Sequence, residues 1–533
     1  MRNDTWLILL VAIWPLTQQQ PQLGTVRFET SCAAAVADDF NHAVALLHSF
    51  EYDEAREVFA EVSRHDPQCA MAKWGEAMTY FHGPWGEFNA QNGASAAAAA
   101  HQLASANART TARERAYIDA ISEVFSADAV KASRFAGNEP NAQGYSEPVR
   151  PPQVRYTERM GALHETYPED DEAAIFYALA LYNTALRRDA THADLHRCVS
   201  LLNPLFAKLP NHPGIAHYLI HCTDNPAMAR EGLDAARKYA AIAPASAHAM
   251  HMPSHIFAQR GLWDEMIRSN RASLQAAQDD EHATVCQKAD HMLHAMHYLA
   301  FALVQTGSLA EARDVMQRAA RVPAAATCEA DLAIILAGYV METAEWTRGR
   351  DIATDAKSSA VVEGFLWEAI GTAAARARDL SRAKAAEEKL AALRDARAKL
   401  PGGTRANFME VRRLTVTAWL AYQDGHAEAA LTTLRDAADL EDTLGSANAA
   451  FKPVRELLAD MLMLSGRHQE ALTEYRAVLE RLPNRFDALY GAGSAAFESG
   501  DRTLAVHYYA DLLKIAHGDE RPELAVARRR VSR

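Results

Sequence analysis

Apolar residues recur along this chain at helical spacing, and the pattern itself repeats. Near the C-terminal end, Ser465-GRHQEALTEYRAVLERLP is followed by Ser499-GDRTLAVHYYADLLKIA. Within each stretch the apolar side chains fall three and four residues apart, as on one face of an amphipathic helix. Gly466 and Gly500 are 34 residues apart, and so are Ala471 and Ala505, and Tyr475 and Tyr509. Each unit therefore predicts a helix, a glycine turn and a second helix. A small residue stands where helices cross, and an aromatic follows one turn later.

The same turn, alanine and aromatic appear in Phe50-EYDEAREVFAEVSRHDP, and the turn returns in Gly261-LWDEMIRSN, Gly307-SLAEARDVM and Gly425-HAEAALTTL. Pro210 and Pro244, again 34 apart, end successive second helices. This is the tetratricopeptide (TPR) period. One such unit cannot bury its apolar face alone, so units stack. The predicted fold is all-α, a TPR solenoid wound as a right-handed superhelix. Repeats are expected to begin near residues 36, 70, 179, 213, 247, 293, 452 and 486.

Two stretches break the period. Residues 84–168 hold an alanine-rich helix (94–108), another helix (111–125) and a Gly/Pro/Asn-rich loop (137–152), and read as an insertion. A long loop in a repeat array is often a lid or binding element. The step from 247 to 293 is 12 residues too long, with the excess expected to lengthen a second helix or form a loop. The divisions are then 1–22, 30–83 (N-terminal repeats), 84–168, 169–322 (central repeats), 323–520 (C-terminal repeats) and a basic tail, 521–533.

Composition changes this picture in three ways. The net charge of -13 disfavours nucleic acid or an anionic membrane as partner. The apolar run Thr5-WLILLVAIWPL is too short to span a bilayer and reads, with Arg2 before it, as a secretory signal within residues 1–22. The mature protein is thus expected to be periplasmic or secreted, with no integral membrane span. Export permits disulfides, and Cys32 and Cys69 lie 37 residues apart, near one repeat length. They can form a bridge or remain two buried thiols.

The third change is histidine. Ten of the 22 histidines fall between residues 212 and 297, eight of them in three runs: His217 and His221; His248, His251 and His255; His291, His294 and His297. On the repeat register, positions 2, 5 and 9 of a first helix face the concave groove, and seven of the eight land there. Histidines four apart lie one above the other on a helix and can share one metal ion. Neighbouring first helices pack about 10 Å apart, so their side chains meet. His217, His221, His251 and His255 are the expected four-nitrogen shell, supported by His294, with His294 and His297 either completing it or forming a second site. His248, His291 and His297 are outer candidates, and Asp224 and Asp290 are further ligands or orienting partners. Zinc, copper, iron and nickel all accept imidazole.

Other readings stand beside this one. The cluster can line a polar groove for an anionic peptide or small molecule, or form hydrogen-bond ladders. Pro253 falls inside a predicted helix, so that helix either kinks or starts near Ala249. Ser254 lies beside two histidines without an oxyanion hole, and no phosphate-binding glycine loop occurs. The expected function is an exported binding module with a metal at its histidine groove. The alternatives are a metal-dependent hydrolase or oxidase acting on a small molecule, or a scaffold binding a protein or peptide in the groove.

The strings TSC (30–32), LLHSFEYDEA (46–55), DPQCAMAKWGEAM (66–78), HPGIAHYLIHCTDNP (212–226) and HAMHMPSHIFAQRGLWDE (248–265) resemble a family of bacterial TPR-repeat proteins whose hallmark is H-x-x-H-M-P-S-H-I-[FY]. The eukaryotic tetratricopeptide repeat protein 38 group is more distantly similar. The resemblance covers roughly residues 30–310 and implies a TPR solenoid, often exported, without a settled activity. The positions matching its histidine strings are His217, His221, His248, His251 and His255. Where such proteins tend to carry an acidic residue, this chain has His297.

Overall fold

The computed structural model describes residues 22–532, except 86, 127–150, 186–190, 282, 324–331, 355–359, 401–404 and 445–449. The expected signal segment and most of the 137–152 loop lie outside the described residues. The fold is all-α and TPR-like: antiparallel helix pairs stack in chain order. Among the described residues the one exception is a pair of two-residue strands, Phe81–His82 and Glu87–Phe88. No described helix is long and apolar enough to cross a membrane.

The small-residue and aromatic rule is visible in the packing. A Cβ added at Gly491 would lie 2.2 Å from the Tyr475 ring, and one at Gly75 2.3 Å from Phe59. Aromatic rings fill the space that glycine leaves at these crossings. Gly261, Gly307, Gly425, Gly466 and Gly500 all take positive φ at the turn between paired helices, the region that favours glycine. In the first repeat the same turn is made by Phe50, at φ 61°.

Helices begin where the period placed them at Ala37–His48, Ala70–Met78, Pro213–Thr223, Ala247–His251, Val454–Leu464 and Phe486–Glu498. Two first helices start eight residues early: Asp171–Thr184 and Val285–Gln305. The 12 extra residues after 247 are therefore shared. They extend the second helix to Asp279, leave a short loop, and lengthen the next first helix at its start. The helices within 84–168, at Ala90–Ala106, Ala112–Val124 and Pro151–Thr166, pack in order between their neighbours and continue the stack. Pro253 divides its element in two. Ala247–His251 ends, and Pro253–Gln259 starts with the proline at its first position, where no amide donor is needed.

The array also folds back on itself, which a linear repeat reading does not anticipate. Trp263 Nε1 donates to the Asn484 carbonyl at 2.7 Å, the Phe486 amide to Gln305 Oε1 at 2.8 Å, and the His517 amide to the Thr306 carbonyl at 2.9 Å. The C-terminal repeats thus sit on the turns of the central ones. At the other end, Thr25 donates to the Asn211 carbonyl at 2.9 Å, tying the N-terminal strap to the base of Pro213–Thr223. Cys32 and Cys69 are bridged, as are Cys198 and Cys222, Cys286 is also disulfide-bonded, and no described cysteine is free. The Cys198–Cys222 bridge anchors the helix that carries His217 and His221.

Candidate metal centre

The central histidines do not form the single four-nitrogen shell expected from the register. They divide into two triads. His217, His221 and His248 bring their ligand atoms within 4.8 Å of one another, and so do His251, His255 and His294. His248, an outer candidate in sequence, completes the first triad, and His294 completes the second. The groove is not open over them: His217 and His251 are buried, while His294 meets solvent.

In the first triad, His217 Nε2 lies 3.1 Å from His221 Nε2 and 3.1 Å from His248 Nε2. Its other nitrogen, Nδ1, is 2.7 Å from the His48 carbonyl. A carbonyl only accepts, so Nδ1 carries the proton and Nε2 of the neutral ring holds one lone pair. One lone pair accepts one hydrogen bond, yet two imidazole nitrogens face it. A cation between the three nitrogens satisfies them all.

The second triad makes the point more sharply. His251 Nδ1 is 2.8 Å from Asn270 Oδ1, and Asn270 Nδ2 is committed to the Met266 carbonyl at 2.9 Å. Asn270 therefore accepts and His251 Nδ1 donates. His255 Nδ1 donates to Asp224 Oδ2 at 2.9 Å. With Nδ1 donating, a neutral ring keeps its lone pair on Nε2, and the two Nε2 atoms face each other at 3.1 Å. Metal–imidazole bonds of about 2.0–2.1 Å put ligand nitrogens about 2.9 Å apart at a right angle and about 3.3 Å apart at a tetrahedral angle. The observed separations fall between these.

A shared proton is the other way to relieve such a contact, and burial opposes it at His217, His221, His248 and His251. Burial, and then His221, hold His217 well below the ordinary histidine value; burial and then His248 do the same to His221. Burial, reinforced by His217, lowers His248, and burial with His294 and His255 lowers His251. Packing within the cluster, and then the nearby His255, His297 and His291, lower His294 as well. Deprotonated imidazole is the form that binds metal.

Asp224 acts as the orienting partner foreseen for it, with Oδ1 accepting from Gln259 Nε2 at 3.1 Å. Neither His291, His297 nor Asp290 belongs to a triad. His297 is buried with its ring 5.4 Å from Phe451, and burial lowers it to about 4.

Sequence reasoning missed two contributors. The first is Phe50, whose ring centroid lies 4.3 Å from His217, 5.5 Å from His221 and 5.7 Å from His248. It covers the first triad. A bulky residue at positive φ costs roughly 1–2 kcal/mol, and glycine makes the equivalent turn in five other repeats. That contrast was legible in the turn pattern. The second is His48. Its Nδ1 contacts Tyr218 Oη at 2.8 Å and its Nε2 contacts Glu172 Oε2 at 2.9 Å, while Glu172 Oε1 meets His212 Nε2 at 2.9 Å. Burial would raise Glu172, but His212 and His48 outweigh it and hold the carboxylate well below its usual range. Both His48 ring nitrogens are engaged, so this ladder fixes the carbonyl that orients His217 rather than offering a metal shell.

No family model matches the chain, and no curated protein matches it. Solved structures that match the chain include yeast Tom70, at TM-score 0.32 and 10% identity over 71% of this chain and 92% of that one. A human IFIT1 dimer with PPP-AAAA matches at TM-score 0.37 and 13% identity, over 89% of each chain.

Proposed function

We propose that this chain is an exported TPR-like protein whose central repeats bind transition-metal ions at two three-histidine centres. The observation that carries the reading is the contact between His251 Nε2 and His255 Nε2 at 3.1 Å, with both Nδ1 atoms committed as donors. The donor set is imidazole throughout, which suits zinc, copper, iron or nickel. Export is supported by the apolar leader in the sequence and by the pairing of every described cysteine. The resemblance of the H-x-x-H-M-P-S-H-I-F string to bacterial TPR-repeat proteins fits the same compartment.

Three protein ligands rather than four is the arrangement of metal sites that keep a position for water or substrate. That favours, as a second reading, a metal-dependent enzyme acting on a small molecule over a closed structural centre. A scaffold binding a peptide without metal is the reading to which the chain returns if no metal is found.

The test is metal analysis of protein purified without a histidine tag or metal column. The expected result is close to two equivalents per chain after reconstitution, lost in a His217→Ala, His255→Ala double variant that keeps its helical circular dichroism. Less than roughly a tenth of an equivalent, with no uptake, overturns the metal reading. N-terminal sequencing of protein recovered from periplasm or medium tests export. A retained leader in cytosolic protein contradicts it.

A further inference from the structure

We infer that the two histidine triads act together as one dinuclear copper centre. This rests on the metal-binding reading above and goes beyond it, since two separate mononuclear sites satisfy that reading equally well.

The triads are built from interleaved elements. The short helix Ala247–His251 supplies His248 to one triad and His251 to the other. Side chains three apart on a helix are neighbours, with Cβ atoms about 5–6 Å apart. Asp224 follows the helix that carries His217 and His221, yet its carboxylate orients His255 of the opposite triad at 2.9 Å. The nearness is also electrostatic. His255 acts on His217, His221 and His248, and His291 acts on both His248 and His294. The two ions would therefore be next to one another, each with three imidazoles and an unfilled position.

The donor chemistry selects among metals. Six imidazoles form the two triads, with no thiolate and no carboxylate among them. Asp224 is not spare for a metal, because its oxygens already serve His255 and Gln259. Such a set is poor for magnesium, calcium or manganese, which favour oxygen. Among the metals that suit imidazole, copper stands at the top of the affinity order for divalent ions.

The experiment uses the full mature chain, purified without a tag and loaded with Cu(II). Copper per chain is measured alongside the spin count by electron paramagnetic resonance. The expected result is about two coppers per chain with a spin count far below two, because neighbouring Cu(II) ions couple. His221→Ala should leave about one copper and restore a signal of about one spin, and His294→Ala should do the same from the other side. Circular dichroism confirms that each variant is folded. Two coppers giving two independent Cu(II) signals overturn the dinuclear centre and leave metal binding standing. Preferential loading of zinc from an equimolar mixture overturns the copper assignment. No uptake of either metal overturns this inference together with the reading beneath it.

Discussion

The central and C-terminal repeats bury polar side chains on the same helical frame, but they complete them differently. In the C-terminal half, Arg485 lies between Glu342 at 2.6 Å and Glu456 at 2.7 Å, and Lys452 meets Asp487 at 2.8 Å. Arg521 closes on Asp487 as well. Every contact joins opposite charges, so the acidic group of Glu342, Glu456 and Asp487 already holds its cations. In the central half the partners are alike: imidazole nitrogen faces imidazole nitrogen. Burial of polar groups is thus not itself the mark of a site. The mark is burial in which like atoms are brought together.

The largest effect that tests this contrast lies in the complete network. Replacing Arg485 with alanine leaves Glu342 and Glu456 buried and unpaired, and should cost about 3–5 kcal/mol, read by urea denaturation. A loss below about 1 kcal/mol would show that the network is not the structural counterpart described here.

Next comes metal removal. A ligand present at 100 times its dissociation constant stabilises the folded state by about 2.7 kcal/mol. Stripping wild-type protein with a chelator should therefore lower its melting temperature, and His251→Ala should show a smaller difference between stripped and metal-treated samples than wild type. If wild type melts identically in both states, the central cluster is as complete as the C-terminal one and the comparison fails.

Acid gives a third handle. His297 has a folded value near 4, below the ordinary 6.5. Between those values the unfolded chain binds the proton and the folded chain does not, so stability falls as pH drops from about 6.5 towards 4. The slope is up to about 1.4 kcal/mol per pH unit for this group. In metal-free protein, denaturant midpoints measured across that window should decline, and His297→Gln should flatten part of the decline. An unchanged slope in the variant contradicts the assignment.

The smallest expected effect on stability is at Phe50. Phe50→Gly relieves the positive φ, worth roughly 1–2 kcal/mol, while losing the ring that packs on the first triad. The net change should lie within about 1 kcal/mol. Metal exchange at the first triad should accelerate all the same, followed by displacement with a colorimetric chelator. Equal exchange rates in wild type and variant would mean that Phe50 does not cover the site.

Much of this was legible in the sequence. The 34-residue period located most helices, because glycine turns and close alanine crossings leave fixed marks. The groove positions singled out His217, His221, His251, His255, His294 and Asp224, which the structure places in two neighbouring groups rather than one. What the register could not supply was the third dimension. It treated the repeats as an open line, whereas the array folds back at Gly261, Gln305 and Thr306, and the first repeat lays Phe50 over the histidines. At Pro253 it expected a kink or a start near Ala249, whereas one helix ends at His251 and another begins at Pro253. The short helix Ala247–His251 supplies His248 to one triad and His251 to the other, so the histidines divide between two groups. His48 was unreadable because its contribution to the site is a backbone carbonyl, which has no sequence signature.

X-ray absorption at the edge of the bound metal, on protein purified without a tag, tests the central claim most directly. The account predicts a first shell dominated by imidazole nitrogen at about 2.0–2.1 Å, about three histidines per ion and no sulfur. A sulfur-containing or mainly oxygen shell, or the absence of any bound metal after reconstitution, would contradict it.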